Sequence, residues 1–208
     1  MARQAVYLNV DISDATSKIK ELQAAHTEEQ FTKLMYNAFK RTGAKVKTIM
    51  RQDLPKKYDV KPSWVGSQVG APKTSMGGGG VNCSIPIDGK RGTIGGTYKA
   101  TGGAHGWNAL RRKRYKITAQ MVKSGSSTMP KEMHNQGGNP PFRNLGSKLG
   151  KLAFTRKTKA RFPIARVVGI GVPQMPMNRS QGEVQKDIMD VLMKRLEHEH
   201  AYLISKCR

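Results

Sequence analysis

Apolar and polar positions alternate over Ala5 to Ile12, with Val6, Leu8, Val10 and Ile12 on one side, which predicts a short strand. Ser13 or Asp14 then stands where the cap of a short helix through Ile19 and Leu22 belongs. A second helix opens at Thr27. Gln30, three residues on, completes a capping box, and Glu28 and Glu29 suit the positive end of the helix dipole. Phe31, Leu34, Met35, Ala38, Val46, Ile49 and Met50 recur at helical spacing to about Arg51. The opposite face carries Lys33, Lys40, Arg41, Lys45, Lys47 and Arg51, so the helix has an apolar stripe and a basic back. Leu54-Pro55 is expected to end it, with a short helical or turn segment following to Val69.

The pattern then changes. Gly77 to Gly80 are four consecutive glycines, which lose the most backbone freedom on ordering, and the stretch reads as a hinge or loop. From Val81 to Val122 short β-like runs, VNCSIPI and TYKAT, are separated by the turn-rich DGKRGTIGG. Tyr115, Ile117, Ala119 and Met121 alternate with Lys116, Thr118 and Gln120, as in a half-buried strand. Residues 124–150 are rich in Gly, Ser, Asn and Pro and read as a long functional loop or a segment ordered by a partner. LAFTR, the basic turn KTKA and RFPIARVVGIG predict a hairpin. Beyond Met175-Pro176 a terminal helix is expected to open at Ser180, with Glu183 completing a capping box and Val184, Ile188, Val191, Leu192 and Leu203 on one stripe. The expected class is α+β: a single domain over 1–208, with N-terminal helices and a C-terminal helix packed on a small central antiparallel sheet. Residues 66–80 and 124–150 are its long loops.

Composition adds two constraints. Hydrophobic residues make up 37% of the 208, so the core is modest for the length. The formal charge is +23, and its location matters more than its size. Residues 1–30 carry 3 basic and 5 acidic groups, and residues 180–208 carry 5 of each. The middle, 31–179, holds 29 basic against 4 acidic. Such an excess repels itself unless a polyanion, salt or an acidic partner offsets it. No run of about 18 apolar residues is present to cross a membrane, and the N-terminal stretch has no apolar segment of the secretory type. Cys83 and Cys207 are too few for a disulfide framework or a zinc site and read as reduced thiols.

Catalytic patterns do not emerge. His198 and His200 flank Glu199, but residues i and i+2 of a helix point about 200° apart, so the two imidazoles cannot share an ion. The glycine runs lack the Lys-Ser/Thr and the strand–helix context of a phosphate loop. With few acids in the middle there is little material for a carboxylate pair or a Mg²⁺ site. The expectation is a non-enzyme with no metal and no cofactor. Binding chemistry is better supplied. Arg111, Arg112, Lys113, Arg114 and Lys116 crowd into six residues around Tyr115, and Arg156, Lys157, Lys159 and Arg161 follow at the hairpin turn. Such clusters contact phosphates with little sequence readout, and they equally suit the acidic face of a neighbouring subunit. Aromatic residues are 6%, and no Phe/Tyr pattern of an RNA-recognition sheet is present, so any DNA contact is with the backbone.

Arg161-Phe162-Pro163-Ile164, then Val167-Val168-Gly169-Ile170-Gly171-Val172-Pro173 and a capped terminal helix ending in a Tyr-Leu pair, resemble the prophage minor tail protein Z family. There an R-x-P-I stretch leads through a G-P-S-V-P-like segment into the last helix; here the proline and serine after the first glycine are missing. The lysine-rich helix, Lys56-Lys57-Tyr58-Asp59-Val60 and Met129 to Met133 match more loosely in order. The resemblance implies a structural virion protein of a tailed bacteriophage: a tail-completion or neck protein at the head–tail junction, assembled in the host cytoplasm. It implies a ring of copies, six by family symmetry, around the DNA channel, with the tail terminator, connector and tail tube as neighbours, genomic DNA within reach and no membrane. Arg161, Pro163, Ile164, Gly169, Gly171, Val172 and Pro173 are then the motif residues that fix the hairpin and its exit. Pro163, lacking a ladder donor, belongs at an edge or bend. The long loops reach across subunit boundaries, and the two basic clusters face DNA or an acidic neighbour. The competing expectation is a non-enzymatic basic nucleic-acid-binding protein.

Overall fold

A computed structural model describes residues 5–7, 13–77, 80–101, 117–128, 141–143, 152–156, 162–178 and 181–206. The class is α+β, and two long helices dominate it. After strand β1 (Ala5–Tyr7), a 3₁₀ turn at Ser13–Ala15 leads into α1 (Thr16–Ala25). That turn displaces the expected cap. Ala15, not Ser13 or Asp14, precedes the helix, and no side chain caps it. The helix α2 (Glu28–Lys57) begins as its sequence predicts: Gln30 N–H donates to Thr27 Oγ1 at 3.4 Å, and Thr27 N–H donates to Gln30 Oε1 at 3.3 Å.

Pro55 does not stop α2, which runs on to Lys57. A proline in the last turn removes one helical N–H, but Leu54 and Tyr58 on either side of it are fully buried, and that burial holds the turn in place. Tyr58 N–H closes the helix on Leu54 O at 2.9 Å, and Tyr58 Oη donates to Met175 O at 3.1 Å. The short α3 (Pro62–Gln68) follows, with Pro at its first position.

Gly77 and Gly80 of the glycine run are strand residues, not part of a hinge or loop. Strands β2 (Lys73–Gly77) and β3 (Gly80–Ser84) form an antiparallel hairpin in which Gly77 pairs with Gly80. The described residues of 66–80 therefore comprise the end of α3, a connector, all of β2 and the first residue of β3, not a long loop. Further short strands are β4 (Pro86–Asp88), β5 (Arg91–Thr93), β6 (Lys99–Thr101), β7 (Thr118–Val122), β8 (Gly125–Thr128), β9 (Phe154–Arg156), β10 (Ile164–Arg166) and β11 (Val168–Gly171). Strand β5 lies inside the stretch read as turn-rich, and β8 opens the stretch read as a loop from 124.

Every ladder is antiparallel. Among the described residues the strands do not merge into one central sheet. They form two-stranded ladders β1–β4, β2–β3, β5–β11 and β9–β10, and one three-stranded ladder β6–β7–β8. Of the expected hairpin only β9–β10 pairs, with Ile164 opposite Arg156; β11, its expected continuation, pairs with β5 instead, and Phe142 bridges to Phe154 on the other side of β9. Met175-Pro176 falls within a short helix, α4 (Gln174–Asn178), that the sequence reading left out. The terminal helix α5 (Gln181–Lys206) starts one residue past the expected cap, Ser180, which lies outside the described residues.

Helices α2 and α5 run antiparallel, since Arg41, midway along α2, meets Glu199 towards the end of α5, and Lys57, at the end of α2, meets Glu183 near the start of α5. Two buried clusters flank this pair. The larger packs Val46, Met50, Leu54, Val184 and Ile188 against α3 and the strands, through residues such as Val65, Ile87, Ile94 and Val172. The smaller packs Leu34, Ala38, Met189, Leu192 and Leu196 against Ala15 and Leu22 of the N-terminal helical segment.

Candidate interaction surface

The seam between α2 and α5 places the most informative side chains. At the end where α2 finishes, Asp53 is buried, and Lys56 one turn on approaches its Oδ1 at 2.6 Å. That hydrogen bond, and the attraction of the carboxylate, holds the Lys56 ammonium above its usual range. Lys57 reaches Glu183 of α5 at 2.9 Å. Asp53 Oδ2 is buried. Asp187 of α5 faces it, and a hydrogen bond to Asp53, reinforced by burial and by the like charge, raises the Asp187 carboxyl above the ordinary carboxylate range. At the opposite end Glu199 is buried with a 4% exposed side chain. Arg41 Nη1 approaches Glu199 Oε1 at 2.7 Å and Asn37 Nδ2 approaches Oε2 at 3.4 Å. His26, at the C-cap of α1, meets His200 with Nε2 and Nδ1 2.8 Å apart.

Between these ends the helices part into an open groove of about 510 Å³. Each helix offers it one stripe at i, i+3, i+4 and i+7: Lys45, Thr48, Ile49 and Gln52 from α2. The facing stripe of α5 is Val191, Lys194, Arg195 and His198. Ile49 and Val191 form an apolar floor, and cations and neutral donors form the walls. No carboxylate lines the groove. His198 Nδ1 lies 3.7 Å from Glu199 Oε1. Among the described residues no acid lies within ion-pair distance of Lys45, Lys194 or Arg195. The basic back of α2 is thus three environments. Arg41 and Lys45 turn to the α5 seam, Arg51 lies against Gly66 of α3, where a Cβ would sit 2.7 Å from Arg51 Cδ, and Lys33, Lys40 and Lys47 are exposed.

One motif residue, Gly169, packs on Tyr98. Gly169 lies on β11 beneath its ring, where a Cβ would come 2.8 Å from Tyr98 Cε2 and 3.0 Å from Met121 Sδ. Gly92 on the paired strand β5 meets the same ring in the same way, at 2.6 Å. Tyr98 Oη donates to Ile170 O at 2.7 Å, and burial pushes its phenol well above the usual range. Gly171 N–H donates to Gln174 Oε1 at 3.0 Å, and Val172 and Pro173 are buried as the chain turns into α4. Pro163 is exposed just ahead of β10, before the first ladder pair, as its missing donor requires. Beside it Phe162 is 64% and Ile164 39% exposed, so apolar side chains stand in solvent at the start of β10.

Of the predicted cations, Arg111, Arg112, Lys113, Arg114, Lys116, Lys157, Lys159 and Arg161 lie outside the described residues, as do the KTKA turn and most of 124–150. Arg156 is described and is not an outward-facing cation. It is half-buried, its guanidinium sits 5.4 Å over the Phe142 ring, and its Nε is buried without a partner. The groove cations were missed as a set because residues 45–52 and 191–198 are far apart in the chain. The signal that could have paired them was the identical spacing of the two polar stripes beside the apolar ones. Cys83 is a free, half-buried thiol. No cluster of three or more His, Cys, Asp or Glu side chains suited to a metal ion occurs among the described residues. No described helix is long and apolar enough to cross a membrane. Comparison with protein-family models, curated proteins and solved structures finds no match.

Proposed function

We propose that this chain is a structural virion protein of a tailed bacteriophage, a tail-completion or neck subunit that forms a ring of copies at the head–tail junction around the DNA channel. It works by binding, not by catalysis. The observation that carries the reading is the motif from Arg161 to Pro173 leading into the terminal helix. Its Gly169 is required by close packing on Tyr98, and its Phe162 and Ile164 stand exposed beside the β9–β10 ladder, where a neighbouring subunit can cover them. A cationic middle of 29 basic against 4 acidic groups is tolerable beside packaged DNA or acidic tail subunits. The small, separate ladders fit a subunit whose edges are completed by siblings.

Native mass spectrometry and negative-stain electron microscopy of the purified chain test this reading. A closed ring, six-membered by the family's symmetry, or addition to purified tails is the expected outcome. A lone molecule at all concentrations, with no affinity for virus particles, contradicts it. The unpaired cations of the groove favour one second reading, a non-enzymatic nucleic-acid-binding protein without ring assembly, which would shift DNA as a monomer or dimer.

A further inference from the structure

We infer that the α2–α5 groove is a binding site for the phosphodiester backbone of duplex DNA, with Lys45 on one wall and Lys194 and Arg195 on the other as the phosphate contacts. The inference deepens the proposed function and rests on its premise that a polyanion offsets the charge.

The observations converge on that ligand. Every polar side chain presented to the groove can donate a hydrogen bond, because Thr48 and Gln52 add a hydroxyl and an amide to the three cations. Three of the seam's carboxylates have cation partners, Asp53 with Lys56, Glu183 with Lys57 and Glu199 with Arg41, while Asp187 lies against Asp53. Lys45, Lys194 and Arg195 are left over, although Asp190 and Glu197 lie on the same helix as two of them. A groove that brings together three cations without acid partners, and no acid, is complementary to an anion. Its size, about 510 Å³ and open along the helices, exceeds what one small ion needs and suits a strand laid along it. No Phe, Tyr or Trp side chain lines it, and the single imidazole of His198 is too little to stack a run of unpaired bases. Backbone contact with duplex, indifferent to sequence, is what remains.

The test is binding of the full-length chain to a random-sequence DNA duplex, followed by fluorescence anisotropy across about 50–200 mM salt. Each lost phosphate contact lowers the slope of log K against log[salt] by about 0.9. A K45A/K194A/R195A variant is expected to lose between about 2 and 3 from that slope and at least about tenfold in low-salt affinity. A charge-matched variant at exposed lysines elsewhere, K61A/K73A/K123A, is expected to lose clearly less. Equal losses in the two variants, or no DNA binding by the unmodified chain, overturn the inference. So does tighter binding of polyglutamate than of DNA that the groove variant alone abolishes, which would assign the groove to an acidic protein partner. Native mass spectrometry on the same samples separates the two levels. Rings with an unchanged slope sink only the groove, and a reduced slope without rings sinks only the ring.

Discussion

At one end of the α2–α5 seam Asp53 and Glu183 meet Lys56 and Lys57, and at the other Glu199 meets Arg41, whereas in the groove between them Lys45, Lys194 and Arg195 face no acid. The difference follows burial. Asp53 and Glu199 are removed from water, and a carboxylate there without a cation would cost several kcal/mol, so a partner is obligatory. The groove is open, its cations stay hydrated, and nothing in the fold demands that they be matched. Charge matching in this protein is therefore a structural requirement at the ends and absent in the middle, which leaves the middle available to something outside the chain.

Substitutions along the seam can break that comparison. The largest effect is expected where both regions depend on the same apolar stripe. Leu196 is fully buried among α1, α2 and α5, and Leu196→Ala should cost about 2–5 kcal/mol in urea unfolding. Arg41→Ala strands the Glu199 carboxylate. Removing one partner of a fully buried pair costs about 3–5 kcal/mol, and because Arg41 itself is 48% exposed the expected loss is smaller, about 2 kcal/mol. Stability unchanged by Arg41→Ala would show that the ends are no more charge-constrained than the groove.

A smaller effect depends on pH. The folded pKa of Asp187 is raised above its unfolded value by the hydrogen bond to Asp53, so the folded state holds that proton more tightly. The stabilisation is complete below the unfolded pKa, near 3.8, and is lost as pH rises through the raised folded value. Asp187→Asn, which keeps a donor without the charge, should therefore gain stability over the parent as pH rises from the acid range to neutrality. Parallel stability–pH curves for the two proteins would remove Asp187 from the account. Smallest of all, Lys45→Ala should change stability by no more than about 0.5 kcal/mol, because nothing in the fold leans on its charge. A loss comparable to that of Arg41→Ala would mean the groove is internally compensated after all.

The parts of the fold legible in the sequence were those set by neighbours along the chain. The Thr27–Gln30 capping box, the stripe of α2, the burial of Ile117 and Ala119 at β7 and the pairing of β9 with β10 are local patterns and are present, although the rest of the expected hairpin, β11, pairs with β5. Local rules failed where packing at a distance outweighed them. Pro55 is carried through by the burial of Leu54 and Tyr58, and Gly77 and Gly80 are held in register by the β2–β3 ladder. The division of the strands into separate ladders depends on which short segments find each other, as when β1 pairs with β4 and β5 with β11, and no periodicity encodes that. The same holds for the surface. The cationic runs were visible as composition, but Arg156 turns onto Phe142, and the groove assembles Lys45 with Lys194 and Arg195 from opposite ends of the chain.

Lysine acetylation footprinting with and without duplex DNA, read by mass spectrometry, tests most directly whether the groove is where the unmatched charge is used. The account predicts that DNA protects Lys45 and Lys194 strongly while Lys61, Lys73 and Lys123, exposed elsewhere, remain as reactive as before. Uniform labelling of all five lysines in the presence of bound DNA would contradict it.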